Sequence, residues 1–454
     1  MRHKSIVPMG VFLFGALVFL AESSFLAGGN ALAEERDDQL TKADRRVDER
    51  AQDTIDQGRQ IFRFDTFGDE AYWGDTLRLH QAIAGARNGG VGPGVSPKTA
   101  LAVGLKVDAD ALPAQLKQQI VAGRVNLDDP ATTVALLKLN AVVGVTGIFD
   151  GAGNIKSMGV QCALCHSTVD NSFAPGIGKR LDGWANRDLN IGLIVSLAPN
   201  LKPLTDLLGV DVATVKKVLN SWGPGRFDAE IDKDGKAFRP DGGQAGTLIP
   251  PAFGLAGVNL HTWTGFGSVP YWNAYVAVTE MHGSGTFFDA RLANPDQYPV
   301  EAKARTPGDR RPTPGTPDLV TSKLPALHAY QLALKAPKPP VGSFDAAAAE
   351  RGKEVFDGPG KCATCHVPPL FTEPGHNLHT PAEMGVDSFQ ADRSPTHMYR
   401  TAPLAGLWTH QKGGFFHDGR FATLQDVIEH YDGTFRLGLN EQEKGDLVEY
   451  LKSL

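Results

Sequence analysis

All four cysteines of this chain lie in two short strings of the same pattern. One string is Cys-Ala-Leu-Cys-His at residues 162–166, and the other is Cys-Ala-Thr-Cys-His at residues 362–366. In such a string the two thiols reach the two vinyl groups of one porphyrin, and the next imidazole reaches its iron. Because this interpretation uses every cysteine, the sequence predicts two covalently bound haem c groups.

The same spacing assigns a role to each residue of the strings. The thiols attach the porphyrin and the histidines bind iron from the proximal side. The predicted attachment residues are Cys162, Cys165, Cys362 and Cys365, and the predicted iron ligands are His166 and His366.

Two other interpretations of the cysteines are weaker. A zinc site made from all four cysteines would join distant segments and would leave both histidines without a role. A redox-active Cys-x-x-Cys pair is typical of a thioredoxin-like strand–helix–strand unit, and the sequence around the strings does not have that pattern.

Composition limits the class of protein. The chain has 454 residues, of which 42% are hydrophobic, and its formal net charge is −6. This length predicts two or three domains with real cores, and the composition excludes a wholly disordered chain. The mixed, slightly acidic charge provides no basic surface for nucleic acid.

The first 33 residues have the pattern of a secretory signal peptide. Arg2 and Lys4 precede an apolar run at residues 6–20, and Ala-Leu-Ala at residues 31–33 forms a cleavage site. The sequence therefore predicts a periplasmic protein whose mature chain begins at Glu34, with an uncleaved N-terminal anchor as the alternative. No later stretch approaches the roughly 18 apolar residues of a membrane helix, so no span is expected after cleavage.

Helical patterns dominate and strand patterns are scarce, so the predicted fold class is mainly α. We expect an N-terminal helical extension at 34–142, a first haem domain at 143–299, a linker with a crossover helix at 300–343, and a second haem domain at 344–454. In the last domain Asp345 can cap one helix, and Asn440 with Glu443 can form a capping box for another. Gly352 would let these two helices cross closely, as in cytochrome c-like domains.

Three segments of the last hundred residues resemble one family. Arg-Gly-Lys-Glu-Val-Phe at 351–356, Tyr-Arg-Thr-Ala-Pro-Leu at 399–404 and Phe-Phe-His-Asp-Gly-Arg at 415–420 resemble the bacterial di-haem cytochrome c peroxidase superfamily, which includes the MauG-type enzymes. The resemblance extends over about residues 159–454 and is weaker in the first haem domain. It implies that the N-terminal haem reacts with peroxide and that the C-terminal haem relays electrons.

The resemblance also implies two catalytic residues. Trp263, in Trp-Thr-Gly after a proline-led segment, is similar to the tryptophan that lies between the two haems in the family. Glu280, followed by Met281, is similar to the glutamate of the distal pocket, where a carboxylate can take a proton from peroxide and return it. Core packing for Trp263 and a solvent-exposed position for Glu280 are the alternatives.

The sixth iron ligands decide the chemistry. No histidine lies between His166 and His261, whereas peroxidase members have a distal histidine there. The first haem is therefore expected to be open, as in the MauG-type branch, or capped by His261 or His282. For the second haem, alignment of the His-Asp-Gly motif places Tyr431 at the ligand position. Its rivals as ligands are His430, His417 and Met398.

Three functions remain for these residues. The first is a di-haem oxidoreductase that uses H₂O₂ or O₂ and exchanges electrons with a small redox protein; a rubber-oxygenase-like enzyme is a sub-case. The second is an electron carrier with no chemistry of its own. The third is a structural protein that holds zinc or disulfides, which a colourless preparation would reveal. The family also commonly holds Ca²⁺ between its haem domains, but no acidic loop is assigned here, because the acidic run at 230–234 is expected to be a solvated turn.

Overall fold

The computed structural model describes residues 41–454, so the predicted signal peptide lies outside the described residues. The chain divides into two compact units, Met1–Thr54 and Ile55–Leu454. Of the first unit, the structure describes residues 41–54, which contain the start of the first helix. All predicted site residues lie in the second unit. Within residues 41–454, no helix is long and apolar enough to cross a membrane.

The described chain is mainly α, which confirms the predicted fold class. Its α-helices are α1 Lys42–Phe64, α2 Leu79–Ala84, α3 Pro97–Ala102, α4 Ala114–Val121, α5 Pro130–Lys138, α6 Ala163–His166, α7 Ile191–Ser196, α8 Lys202–Leu208, α9 Val212–Trp222, α10 Ile231–Asp234, α11 Val269–Tyr275, α12 Leu324–Ala333, α13 Ala346–Asp357, α14 Phe389–Asp392, α15 Leu424–Phe435 and α16 Glu441–Ser453.

The strands are short and pair two by two. They are β1 Val107–Asp108, β2 Val145–Phe149, β3 Ile155–Val160, β4 Ser167–Val169, β5 Ile177–Gly178, β6 Arg180–Asp182, β7 Arg226–Phe227, β8 Thr247–Leu248, β9 Phe287–Phe288 and β10 Asp309–Arg310. The β1–β5 pair is parallel, whereas β2–β3, β4–β6, β7–β8 and β9–β10 are antiparallel. The last pair gives the Pro/Gly-rich segment at 305–317 some regular structure.

The two terminal helices of the C-terminal region cross as the sequence predicts. The Asp345 side chain accepts from the N–H groups of Ala347 and Ala348 at the start of α13. Asn440 and Glu443 form a capping box at the start of α16. A Cβ on Gly352 would lie 2.0 Å from the Asp446 carbonyl oxygen, so only glycine allows this approach.

Three hydrophobic clusters form the cores. The first joins residues of the predicted extension, such as Leu77 and Leu137, with residues of the first haem region, such as Met158 and Leu219. The second packs the end of α1 against α11, α12 and the helical turn Val276–Glu280. The third lies in the C-terminal region and packs α13, α15 and α16 together. The predicted domain boundaries stay predictions, although the extension and the first haem region share one core.

Candidate di-haem centre

The first Cys-x-x-Cys-His string follows β3 directly and forms the short helix α6. The His166 N–H donates to the Cys162 carbonyl at 3.1 Å, which closes one helical turn. This turn holds both thiols and the imidazole within one short element. Burial raises the pKa of both Cys162 and Cys165 to about 12, so the thiols are neutral at physiological pH. A thioether, which carries no charge, suits these apolar surroundings.

The His166 imidazole has one nitrogen fixed by the backbone. Its Nδ1 lies 3.1 Å from the Pro250 carbonyl oxygen, so Nδ1–H is the donor and Nε2 keeps its lone pair. Burial lowers the pKa of His166 to about 4, which keeps the ring neutral. A neutral imidazole with a free Nε2 is the form that binds iron.

The second string repeats this device on a different element. Cys362–Thr364 form a 3₁₀ turn after α13, and the His366 Nδ1 lies 3.1 Å from the Phe371 carbonyl oxygen. Burial lowers the pKa of His366 and raises the pKa of Cys362 to about 11. Both histidines thus have their Nδ1 fixed by a carbonyl of their own chain, as the predicted role of proximal ligand requires.

A single cavity of about 750 Å³ is lined by both strings. Its walls are largely aliphatic and aromatic, with polar side chains at a few points, as is usual for cofactor sites. The donor set of each string, two thiols and one imidazole with a free Nε2, matches what a haem c needs. The residues present therefore fit the two predicted haem groups.

Trp263 lies on this cavity and is tied to a three-residue strip at 248–250. Its indole N–H donates to the Leu248 carbonyl at 2.8 Å, and the Leu248 N–H donates to the His417 carbonyl at 2.7 Å. At the other end of the strip, the Pro250 carbonyl accepts from His166. Two hydrogen bonds and the backbone from Leu248 to Pro250 therefore connect the His166 imidazole with Trp263.

Glu280 also lines the cavity, at the end of the π-helical turn Val276–Glu280. Its side chain is only 10% exposed and lies 3.5 Å from the Lys233 Nζ. The Thr279 hydroxyl donates to its Oε1 at 2.9 Å. Burial and the Asp232 carboxylate raise the pKa of Glu280 to about 8, although Lys233 opposes this shift. Glu280 is therefore a buried carboxyl group that can change its protonation state near neutral pH.

The acidic run at 230–234 is buried, so the predicted solvated turn is wrong. The Lys233 ammonium is 2% exposed and contacts both Asp232 and Glu280. Asp234 binds the fully buried Arg393, whose Nε lies 2.7 Å from its Oδ2. Arg393 also binds Asp228 at 2.8 Å. The charges of the run are buried because each faces an opposite charge, which a reading of local sequence could not show.

The two histidines offered as caps of the first haem differ in position. His261 lines the cavity; its Nε2 donates to the Val258 carbonyl at 3.1 Å, and its buried Nδ1 has no hydrogen-bond partner. His282 instead stacks on Tyr72, with ring centroids 3.6 Å apart, and is not among the residues that line the cavity. Of the two histidines, only His261 faces the space where a haem would lie.

Tyr431 lines the cavity from α15, and burial raises the pKa of its phenol above the usual range. The Cys362 and Cys365 thiols are close enough to add to this shift. His430 turns away and its Nε2 donates to the Met384 carbonyl at 2.9 Å, whereas Met398 does not line the cavity. Among the predicted ligands of the second haem, only Tyr431 and His417 therefore face the cavity, and the choice of Tyr431 stays a prediction.

Sequence reasoning missed several polar groups of the cavity wall. It also missed Lys233, which contacts Glu280 from behind the wall and lies within the acidic run. Met384 is a further soft ligand type on the wall near the second string. Arg187, Arg400 and His410 also line the cavity. Isolated basic residues carry no spacing signal, so nothing in the sequence distinguishes them from surface residues.

One group of side chains could hold a metal other than haem iron. Cys365, Glu373 and His379 place their ligand atoms within 4.8 Å of one another. Glu373 and Glu383 flank the His379 ring at 2.7 and 2.8 Å. A sulfur and a nitrogen ligand do not match the oxygen set that Ca²⁺ prefers, so this group gives the Ca²⁺ prediction no support.

A segment of 123 residues is 33% identical to the methylamine utilization protein MauG of Methylorubrum extorquens. The predicted resemblance to the MauG and di-haem peroxidase superfamily is confirmed. The matching segment covers 23% of this chain and 34% of MauG, so the chain spans about a third of the length of the curated relative that it matches. No family model matches the chain.

Two solved structures are also similar. A MauG-like protein associated with microbial copper homeostasis is 17% identical, with a TM-score of 0.31, over 48% of this chain and 76% of that chain. Hydrazine synthase of Kuenenia stuttgartiensis is 20% identical, with a TM-score of 0.26, over 46% of this chain and 73% of that chain. Both scores are too low to carry an argument about function.

Proposed function

We propose that this chain is a periplasmic di-haem oxidoreductase that uses H₂O₂ or O₂ at the haem bound by His166. Electrons would pass through the haem bound by His366 to or from a small redox protein. The observation that carries the proposal is one cavity lined by both Cys-x-x-Cys-His strings, on which Trp263 and Glu280 also lie. The resemblance to MauG supports the same class of protein.

A bound haem supplies an iron that exchanges single electrons and accepts an oxygen ligand. The chain itself supplies proton chemistry through Glu280. As a carboxylate it can take a proton from a peroxide oxygen, and as an acid it can return the proton to the leaving oxygen. Lys233 at 3.5 Å favours the carboxylate form, whereas burial favours the acid, so both forms are accessible.

Trp263 is the chain's own candidate for moving electrons between the two sites. Its indole is fixed by the hydrogen bond to Leu248, and its own carbonyl accepts from the Arg400 N–H at 2.9 Å. A ring held at both its side chain and its backbone keeps one position while charge moves, which lowers the reorganisation needed. The strip at 248–250 gives it a bonded connection to His166.

Tyr431 is proposed as the sixth ligand of the second haem. A phenolate is an anionic oxygen ligand that favours ferric iron and lowers the reduction potential. Burial keeps the free phenol protonated, so binding iron would release its proton. His417, the other predicted ligand on the cavity, is stacked on Tyr399 with ring centroids 4.9 Å apart. Its ring is better placed to orient Tyr399 than to reach iron.

Electron paramagnetic resonance of the oxidised protein, with and without H₂O₂, tests the proposal. We expect a high-spin ferric signal from one haem that disappears when peroxide is added, and a low-spin signal from the other. Tyr431→Phe should change only the low-spin signal. His430→Gln, on the preceding residue, is the matched control and should leave that signal unchanged. Two low-spin signals that do not respond to peroxide would refute the oxidoreductase.

The alternative function is an electron carrier, and one observation favours it. The unpartnered His261 Nδ1 lies on the cavity and could occupy the sixth position of the first iron. In that case His261→Ala would convert a low-spin signal into a high-spin one. The oxidoreductase predicts that the high-spin signal is already present and that this substitution leaves its intensity unchanged.

A further inference from the structure

Two arginines on the cavity wall have buried donors without partners, Arg187 in a buried residue and Arg400 in a partly buried one. The Arg187 side chain has neither Nε nor Nη1 hydrogen-bonded, and the residue is 6% exposed. The Arg400 Nε is likewise buried without a partner. Both residues line the cavity between the two strings. Burial lowers the pKa of each guanidinium to about 10, so both remain cationic at neutral pH.

The most deeply buried arginine among the described residues is paired instead. Arg393 is fully buried and forms ion pairs with Asp228 and Asp234. Within residues 41–454, neither Arg187 nor Arg400 forms an ion pair with any carboxylate. A buried cation without a counter-charge is strongly unfavourable. Neither arginine therefore has a counter-charge among the described residues, and an anionic group that enters the cavity would supply one.

The position of each arginine connects it to a different attachment string. Arg187 follows Asn186, whose N–H donates to the Cys165 carbonyl at 2.8 Å. Arg400 lies two residues before Ala402, whose backbone contacts the His366 ring. Each arginine therefore belongs to a segment that contacts one of the two strings through its backbone. A haem carries two propionate carboxylates on the edge opposite its thioether-forming vinyl groups, so the arginine side chains would meet them where they extend from these segments into the cavity.

We propose that Arg187 and Arg400 each bind a propionate carboxylate, Arg187 that of the haem attached at Cys162 and Cys165, and Arg400 that of the haem attached at Cys362 and Cys365. A guanidinium offers two parallel N–H donors that match a carboxylate, so the free Nε of each residue has a defined role. The inference rests on the proposed haem content and not on the proposed catalysis.

His410 adds a second donor beside Arg187. Its buried Nε2 has no partner, and burial together with Arg187 lowers the pKa of its ring to about 3. The ring is therefore neutral and stacks on Phe253, with centroids 6.0 Å apart. A neutral N–H next to a guanidinium can donate to the same carboxylate without adding charge.

Removal of a guanidinium would leave its propionate charge uncompensated, which favours ferric iron. We therefore expect Arg187→Met to lower the reduction potential of the first haem and to shift the bending bands of its propionates in the resonance Raman spectrum. Arg400→Met should do the same for the second haem. Spectroelectrochemical titration, with each haem followed by its own resonance signal, measures both effects.

Arg226→Met is the matched control. Arg226 is close enough to Arg187 to influence its pKa, but it contacts the carbonyl of Asp418 and does not line the cavity. The control should leave the propionate bands in place. If the bands also stay in place in Arg187→Met and Arg400→Met, or if each variant affects the other haem, the assignment is wrong.

Two further experiments, with lysine variants and with added acetate, cover the remaining outcomes. If a methionine variant does not accumulate, Arg187→Lys and Arg400→Lys keep the charge but lose the paired donors, so the bands should shift while the potential moves less. If the partner were a free carboxylate rather than a propionate, added acetate would change the spectrum of the unmodified protein, and that outcome overturns the proposal. A holoprotein that does not react with peroxide still has propionates, so failure of the proposed function leaves this test intact.

Discussion

His166 and His366 are held alike, since each Nδ1 lies 3.1 Å from a backbone carbonyl oxygen, but different side chains surround the two strings. Near the first string, the cavity wall carries Glu280 with Lys233 behind it. Near the second string, α15 presents Tyr431, which lies among Phe416 and Phe435 with ring centroids 5.8 and 5.6 Å away. One wall can exchange protons, whereas the other is mainly aromatic.

This difference separates two requirements of a di-haem protein. The proximal histidine needs only a carbonyl to fix its tautomer, and any local turn can supply one. The side chains that line the cavity around each iron determine its chemistry, and they come from elements far away in sequence. The first site therefore depends on the ion pair between Lys233 of α10 and Glu280 of the turn Val276–Glu280, and the second on one face of α15.

The largest expected effect is the loss of one of the two haems. Serine at both Cys162 and Cys165 should abolish attachment of the first haem, and serine at both Cys362 and Cys365 should abolish attachment of the second. Each double variant should then show half the haem absorbance per chain in alkaline pyridine, since one string remains. Retention of two haems, or loss of both from either variant, would contradict the prediction that the strings act separately.

The next largest effect concerns proton exchange by Glu280 on the cavity wall. Glu280→Gln should slow the reaction with H₂O₂ by about 10²–10⁴-fold, the usual contribution of a positioned acid–base group. Because the pKa of Glu280 is raised to about 8, its carboxylate form grows roughly tenfold between pH 7 and pH 9, and the rate should rise with it. Stopped-flow kinetics measures both changes.

Glu429→Gln is the control for this prediction, because Glu429 is an exposed carboxylate on α15 in the second region. It should leave both the rate and its pH profile unchanged. A pH profile that survives in Glu280→Gln would mean that another group exchanges the proton.

A third prediction concerns the ion pairs that join the two regions. Arg393→Met should lower the free energy of unfolding by about 3–5 kcal/mol, because Asp228 and Asp234 would be left buried without their counter-charge. Lys202→Met breaks the exposed Lys202–Asp206 pair and should cost less than about 1 kcal/mol. Denaturant titration followed at both haems measures the loss. Equal losses in the two variants would show that the buried pairs add no stability.

The smallest effect is confined to the second region. Gly352→Ala should lower the free energy of unfolding by about 1–3 kcal/mol, because its Cβ would collide with the Asp446 carbonyl where α13 crosses α16. Gly445→Ala on α16 meets no atom within 4 Å and should stabilise the helix by up to about 1 kcal/mol. Opposite signs in denaturant titrations support the crossing, and a common sign contradicts it.

Local patterns predicted much of the C-terminal region. The caps at Asp345 and Asn440 are visible within a few residues of sequence, and the structure confirms them. The spacing of the two strings likewise requires no tertiary information. These features could be predicted because one turn of backbone determines each of them. The close approach at Gly352 involves the distant Asp446, and it was predicted from the similarity to cytochrome c-like domains.

Features that depend on distant partners could not be predicted. Lys233 is buried only because Glu280 meets it from another element, so the run at 230–234 resembled a solvated turn. The strip at 248–250 has no unusual composition, yet it binds His166, Trp263 and His417 through backbone atoms alone. Backbone contacts leave no trace in residue type, and so the sequence could not reveal them.

The backbone of Leu248 has a consequence for how this protein can be recombined. The Leu248 carbonyl accepts from the Trp263 indole N–H, and the Leu248 N–H donates to the His417 carbonyl. A chimera that takes the segment around 248 from one parent and the loop around 417 from another would have to reproduce both hydrogen bonds of this one residue. The two segments must therefore come from the same parent, although about 170 residues of chain separate them.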